Sequence, residues 1–384
     1  MKRNNKILNG YIEGYYGRLL TWKDRHRIIL SLKKNKMNFY FYAPKEDEKH
    51  RLNWRSNYKT QWIKNFKKFC NFANKNYVKI IVGISPGFSF NFSEILNFNS
   101  NNKMTKDLKT LHQKFQYFLE SGANEVALLF DDLPNNFEEK YNLSISEGFA
   151  HATLANRLSY LLKKTIFVVP RIYSDQLIYE DKYYLSDFKK QIYKKIICFY
   201  SGKNIVSKSI NNNTIQKVSK ILSPNFVIWD NFYSNDYCPR RIFLGPYISR
   251  ARIENIMINP TGLIETDLLI LDIVKATKDS PKPFEDWEKV LDKYNVPKQF
   301  LYICDYFLKP DFGDNPTLNK ASISKKFIIS LDYLIWNWKS PLSREWYPFL
   351  LGLKQDIKIF TNEFNSERIV KTQTKALANY LINN

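Results

Sequence analysis

Two adjacent carboxylates, Asp131 and Asp132, stand directly after the apolar run Ala127-Leu-Leu-Phe130. A short apolar run reads as a buried strand, and this one delivers both acids to its end. Two like charges side by side in a partly desolvated place raise the pKa of at least one of them. A carboxylic acid kept protonated near neutral pH is what a general acid requires. A structural reading stands beside this one: one aspartate caps the next helix and the other pairs with a lysine.

Other apolar runs also end in polar residues: Glu13 and Gly14; Lys45, Glu46 and Asp47; Ser85; Arg171 and Tyr173; Ser201; Asp230, Asn231 and Asp236; Asn259. Aromatic rings accompany them at Tyr15, Tyr16, Tyr42, Trp54, Tyr173, Trp229 and Tyr233. Rings beside carboxylates and amides suit the faces and hydroxyls of a sugar, although about half of such rings are expected to serve core packing. The histidines, His26, His50, His112 and His151, form no HxH, HxxxH or HExxH set, which argues against a metal centre. No GxSxG elbow or Walker-type loop is present.

The elements that must position these residues alternate. Strand candidates cover 7–13, 38–42, 78–84, 125–130, 165–170, 196–200, 226–230 and 256–259, with amphipathic stretches between them. Thr21 with Asp24, and Ser146 with Glu147, carry helix-start signals. Eight strand–helix units predict a (β/α)8 TIM barrel, whose functional residues lie at the C-terminal ends of the strands. A doubly wound sheet is the weaker alternative, because Gly14-Tyr-Tyr-Gly17 is not a dinucleotide fingerprint. After Pro281-Lys-Pro283 the strands stop, and helices are expected over 284–294, 298–307, 323–338, 347–364 and 369–381. The expected division is a barrel over 1–280 and a small all-helical C-terminal domain over 281–384.

Composition narrows the function classes. The 384 residues hold 59 Lys+Arg against 37 Asp+Glu, a formal charge of +22. The cations are 45 Lys and only 14 Arg, amid abundant Asn, Ile, Tyr and Phe. That bias matches A/T-rich codons better than a phosphate-binding surface, which favours Arg. A basic nucleic-acid-binding protein on a barrel scaffold is the competing class. No window approaches 18 uninterrupted apolar residues, so no membrane span is expected. The four cysteines are far apart, and the basic N-terminus has no apolar segment behind it, so a cytoplasmic location is expected.

Several motifs, in order along the chain, resemble glycoside hydrolase family 84. They are Ile12-Glu-Gly-Tyr-Tyr-Gly-Arg18, Tyr42-Ala-Pro-Lys45, Lys49-His-Arg51, Ile84-Ser-Pro-Gly87, Leu129-Phe-Asp-Asp132, Ile228-Trp-Asp-Asn231, Asn235-Asp-Tyr237 and Leu244-Gly-Pro-Tyr247. The resemblance implies a retaining exo-β-N-acetylglucosaminidase in which the substrate's 2-acetamido oxygen attacks the anomeric carbon, giving an oxazoline. In that scheme Asp131 orients the acetamide N–H, and Asp132 protonates the leaving oxygen and then activates water. Gly14 and Lys45 would bind near the 3-hydroxyl, Tyr173 the acetamido oxygen, and Asn231 the acetamide region. Trp229 would wall the acetyl pocket, and Asp236 would accept from the 4- and 6-hydroxyls. An ungapped count from Asn259-Pro260 puts Asp267 where the family commonly carries a sugar-binding Asn. No cofactor is implied. The partner would be a GlcNAc-bearing glycoprotein or oligosaccharide, with cell-wall or chitin-type fragments as the alternative, and a homodimer through the helical domain is possible.

Overall fold

The computed structural model describes residues 7–93, 95, 104–250, 252–310, 312 and 323–361. Eight parallel strands form a closed barrel in chain order: β1 (Asn9–Glu13), β2 (Phe39–Tyr42), β3 (Lys79–Ile84), β4 (Glu125–Leu129), β5 (Phe167–Val169), β6 (Ile197–Tyr200), β7 (Phe226–Asp230) and β8 (Ile256–Ile258). Around them lie α1 (Trp22–Lys34), α2 (Thr60–Lys75), α3 (Lys106–Glu120), α4 (Phe137–Tyr141), α5 (Glu147–Leu161), α6 (Tyr184–Gln191), α7 (Asn212–Ile221) and α8 (Ile264–Thr277). The TIM-barrel expectation holds: β7 matches its apolar run, β5 is three residues shorter than its run, and the other strands are one or two shorter.

Strand alternation sorts the residues into two layers. Ile12, Phe41, Ala127, Leu129, Phe199, Val227, Trp229 and Met257 fill the barrel interior. Their neighbours Tyr11, Tyr40, Val82, Leu128, Val168 and Ile228 face outward into the larger core shared with the helices. Both faces are buried, which is why the runs read as continuously apolar. The helix starts follow their signals: Thr21 and Asp24 form a reciprocal capping box, and the Ser146 hydroxyl accepts from the Phe149 N–H.

Beyond the barrel lie α9 (Pro283–Lys293), α10 (Lys325–Trp336) and α11 (Pro341–Phe360). The helix expected over 298–307 is instead two short 3-10 turns, Lys298–Tyr302 and Cys304–Tyr306, and α11 begins six residues before the expected 347 because Ser340 caps it with Pro341 in its first turn. The expected helix over 369–381 lies outside the described residues. Trp287, Phe300, Leu331, Trp346 and Leu350 form a second core that includes Leu269 and Ile273 of α8. Glu345 of α11 also accepts the backbone N–H groups of Glu265 (3.0 Å) and Thr266 (2.8 Å), capping a helix whose own N-cap residue, Leu263, cannot.

Candidate active site

The C-terminal rim of the barrel opens into a cleft of about 1020 Å3. It brings together Gly14, Lys45, Asp131, Asp132, Tyr173, Trp229, Asn231 and Asp236. Alternation explains most of this set. The inward series continues past each strand, from Ile12 to Gly14, from Phe41 through Ala43 to Lys45, from Leu129 to Asp131, and from Trp229 to Asn231. The outward series sends Glu13 and Asp230 elsewhere, and Asp47, in the turn past β2 where the period no longer applies, also bonds outside the cleft. Glu13 accepts from Arg25 (2.7 and 2.9 Å) and Tyr40 (2.5 Å), Asp47 from Tyr42 and Tyr58 (both 2.7 Å), and Asp230 from Tyr247 (2.6 Å) and Arg250 (2.7 Å).

Asp132 breaks the alternation. A regular strand would point it away from Asp131, yet both acids line the cleft, because Asp132 has a left-handed backbone with φ of 58°. That conformation strains a residue with a Cβ, and such strain concentrates at functional sites. Lys45 joins the two: its ammonium is in close contact with Asp131 Oδ2 and lies 3.3 Å from Asp132 Oδ2. Asp132 also accepts from the Tyr16 hydroxyl at 2.9 Å and the Tyr173 hydroxyl at 3.3 Å. Asp131 is buried, yet among the described residues its Oδ1 has no hydrogen-bond partner. Buried acceptors are rarely left so, and a donor supplied by a ligand would complete it.

The two carboxyls differ in charge preference. Burial pushes Asp131 upward, against the pull of Lys45, and the neighbouring Asp132 adds to the rise. Burial also acts to raise Asp132, but Lys45, the Tyr16 hydroxyl and Arg51 outweigh it and hold that carboxyl below its usual range. Burial works against the charge on Lys45, and the two aspartates more than restore it. The pair therefore titrates as a unit.

The opposite wall is built on the Trp229 indole, which meets Phe41 and Phe199 edge-on, each 5.8 Å away between centroids. A Cβ on Gly14 would lie 2.5 Å from this indole, so only glycine lets the ring stand here. Trp229 Nε1 donates to Asn231 Oδ1 at 2.8 Å, and Asn231 Nδ2 donates to the Ile205 carbonyl at 3.0 Å. Asp236 accepts from the backbone N–H groups of Tyr16 and Tyr237, both at 3.0 Å.

Asp267 is not brought to the cleft, which corrects its expected place. It is fully buried under the turn leading into α8, where Tyr11, Thr261 and Gly262 supply four donors at 2.7–3.0 Å. The amide that does line the cleft is Asn259, just past β8, donating to Asn231 at 3.0 Å and accepting from the Gly14 N–H at 3.1 Å. The strand-end rule marks Asn259; the ungapped count overshot it by eight residues. Of the seven aromatic candidates, Tyr16, Tyr173 and Trp229 line the cleft, while Tyr15, Tyr42, Trp54 and Tyr233 are core. Arg51, present in the motif Lys49-His-Arg51 but given no role by the sequence reading, contacts Asp132 and Tyr16, and the loop 203–209, which that reading missed, lines the cleft after β6. Among the described residues, no three His, Cys, Asp or Glu side chains gather as a metal site would require, and no helix is long and apolar enough to cross a membrane.

A family model for beta-N-acetylglucosaminidase matches residues 9–267. Protein O-GlcNAcase of Rattus norvegicus and that of Mus musculus are each 31% identical over 278 residues, covering 69% of this chain. The matched part spans only 29% of the length of those relatives. The solved structure of a mutant Thermobaculum terrenum O-GlcNAc hydrolase has a similar fold, with a TM-score of 0.74 and 23% identity, covering 97% of this chain and 86% of that one. The chain belongs to the β-N-acetylglucosaminidase family, glycoside hydrolase family 84.

Proposed function

We propose that the protein is a retaining, substrate-assisted exo-β-N-acetylglucosaminidase that removes terminal β-linked GlcNAc from a glycoconjugate, in the manner of an O-GlcNAcase. The observation that carries this reading is the pair Asp131 and Asp132, turned into one cleft against Lys45, with Asp131 Oδ1 lacking a partner among the described residues. That oxygen suits the acetamide N–H of a bound sugar. With the N–H held, the acetamide oxygen attacks the anomeric carbon while Asp132 gives its proton to the glycosidic oxygen, and the aglycone leaves as an alcohol. Water then attacks the anomeric carbon of the resulting oxazolinium, whose N–H is still held by ionised Asp131, and loses its proton to Asp132, so configuration is retained, the acetamide is regenerated and the acid is restored. Neither carboxylate bonds to the sugar.

Before substrate binds, the charge preferences run opposite to these roles, with Asp131 raised and Asp132 lowered. A bound sugar reverses them. The acetamide N–H favours an ionised Asp131, a hydroxyl near Lys45 draws that ammonium, and the sugar displaces water from Asp132, whose side chain is 31% exposed.

The remaining roles belong to the same proposal: Lys45 and the Gly14 carbonyl at the 3-hydroxyl, Tyr173 at the acetamido oxygen, Asn231 and Trp229 around the acetyl group, and Asp236 at the 4- and 6-hydroxyls. Asn259 replaces Asp267 as the amide that supports this wall. Acids at Asp131, Asp132 and Asp236 suit hydroxyls and oppose a phosphate backbone, which leaves nucleic-acid binding with less support. The division into a catalytic barrel over 1–280 and a helical unit over 281–384 rests on the second apolar core. Exposed Ile329, Tyr333 and Trp336 on α10, with Tyr347 on α11, form an apolar stripe suited to pairing two copies, which light scattering would detect. Four free cysteines suit a reducing compartment such as the cytoplasm.

The test is hydrolysis of an aryl β-N-acetylglucosaminide beside the matching glucoside. Turnover of the first alone is expected, and equal rates would contradict substrate assistance. Comparing a GlcNAc-modified peptide with a chito-oligosaccharide then separates the protein-linked substrate from cell-wall or chitin-type fragments, with the peptide expected to turn over faster.

A further inference from the structure

Arg51 is a buried cation to which the sequence reading gave no role, and its contacts converge on one catalytic group. It lies past β2. One guanidinium nitrogen donates to the Asp132 backbone carbonyl at 3.1 Å, and the other donates to the Tyr16 hydroxyl oxygen. Its planar group also packs over the Phe88 ring, 4.6 Å from the centroid. A single side chain thus joins the loops that follow β1, β2, β3 and β4. A lysine would supply a point charge without this fork.

We infer that Arg51 is a positioning residue for Asp132: it fixes the backbone carbonyl of the turned residue and aims the Tyr16 hydroxyl proton at the carboxylate. The assignment rests on the function proposed above for Asp132. Because Arg51 occupies the phenol oxygen as a donor, the Tyr16 proton points the other way, to Asp132 Oδ2 at 2.9 Å. Donation to the ionised form favours that form, and linked hydrogen bonds strengthen one another.

The consequence falls on the two chemical steps unequally. When Asp132 surrenders its proton to the leaving oxygen, the chain from Arg51 through Tyr16 stabilises the carboxylate left behind. When water is deprotonated, the same chain opposes reprotonation. The groups facing Asp132 are Lys45 at 3.3 Å, the Tyr173 hydroxyl at 3.3 Å, Tyr16, Arg51 and the adjacent Asp131; Asp236 holds the Tyr16 backbone. The left-handed φ of 58° at Asp132 gives Arg51 a second task, since the carbonyl it holds belongs to the strained residue.

The experiment titrates the carboxyl carbon of Asp132 by NMR in aspartate-labelled protein, with Asp132→Asn giving the assignment. Tyr16→Phe and Arg51→Gln are each expected to raise the pH at which this carboxyl deprotonates, by about one unit, a tenfold gain in proton affinity. Arg51→Lys should recover part of the shift. The alkaline limb of kcat/KM on an aryl β-N-acetylglucosaminide should move upward with it. An unmoved titration in Tyr16→Phe and Arg51→Gln, with activity lowered at all pH values alike, would overturn the assignment. Tyr16 lies at the rim, 43% exposed, so its phenylalanine variant keeps the test open if Arg51 variants fold poorly. The titration needs no turnover: a wild type that ignores the glycoside would sink the proposed function and leave this readout standing.

Discussion

Two sets of carboxylates in this barrel are treated differently. Between the strands and the helices, Glu13, Asp230 and Asp267 have both oxygens occupied by arginine, tyrosine, threonine or backbone donors. At the end of β4, Asp131 is met among the described residues by Lys45 alone and keeps one oxygen without a partner there, while Asp132 sits on a strained backbone with its side chain 31% exposed. Saturation marks a carboxylate that holds structure together, because removing it strands buried donors. Under-saturation marks one kept for an incoming group.

The comparison breaks most visibly at Asp132. Asp132→Asn keeps the size and tolerates the left-handed backbone, so the melting temperature should hardly move. Its kcat/KM on a substrate with a poor leaving group should fall about 10²–10⁴-fold, and much less on one with an activated leaving group that needs no acid. Unchanged activity would remove Asp132 from the mechanism. Asp267→Ala should do the reverse. Leaving buried donors unpaired costs about 3 kcal/mol, visible in urea unfolding, while kcat of the folded enzyme stays close to wild type. A collapse of kcat with unaltered stability would return Asp267 to the active site.

Smaller effects sharpen the contrast. Gly14→Ala forces a methyl group against the Trp229 indole, displacing the proposed acetyl wall. About a tenfold loss in kcat/KM is expected, equal to about 1.4 kcal/mol, with KM rising more than kcat falls. The smallest signal is a pH slope. Burial pushes Asp267 up to about 7 against its four donors. Between about pH 4, the ordinary aspartate value, and about 7, the folded state keeps a proton that the unfolded state has released. Stability therefore declines as pH rises through that window. Asp267→Asn, with no proton to lose, should flatten that part of a stability profile measured by urea melts.

The barrel was legible because each strand is a short apolar run with a polar end, and the doublet was legible because two acids follow such a run. The two-residue period carries more than the strand-end list used. Counting inward positions separates Gly14 from Glu13 and Asn231 from Asp230, and it reaches Asn259 where an ungapped count reached Asp267. Other features leave no local trace. The left-handed turn at Asp132 violates the period that placed Asp131. Arg51 meets Asp132 across 81 positions of chain, and Glu345 caps α8 from another helix, 79 and 80 positions away. Residues 298–307 have helical composition yet settle as 3-10 turns, because packing on Trp287 and Trp346 decides the outcome.

The central claim is that the substrate's own acetamide attacks the anomeric carbon while Asp131 and Asp132 only orient and transfer protons. Its most direct test is kcat/KM across aryl glucosaminides carrying acetyl, monofluoroacetyl, difluoroacetyl and trifluoroacetyl groups on nitrogen. Each fluorine weakens the carbonyl oxygen as a nucleophile, so a steady fall along the series is predicted. A rate indifferent to fluorination would contradict the account, because the bond to the anomeric carbon would then come from the protein.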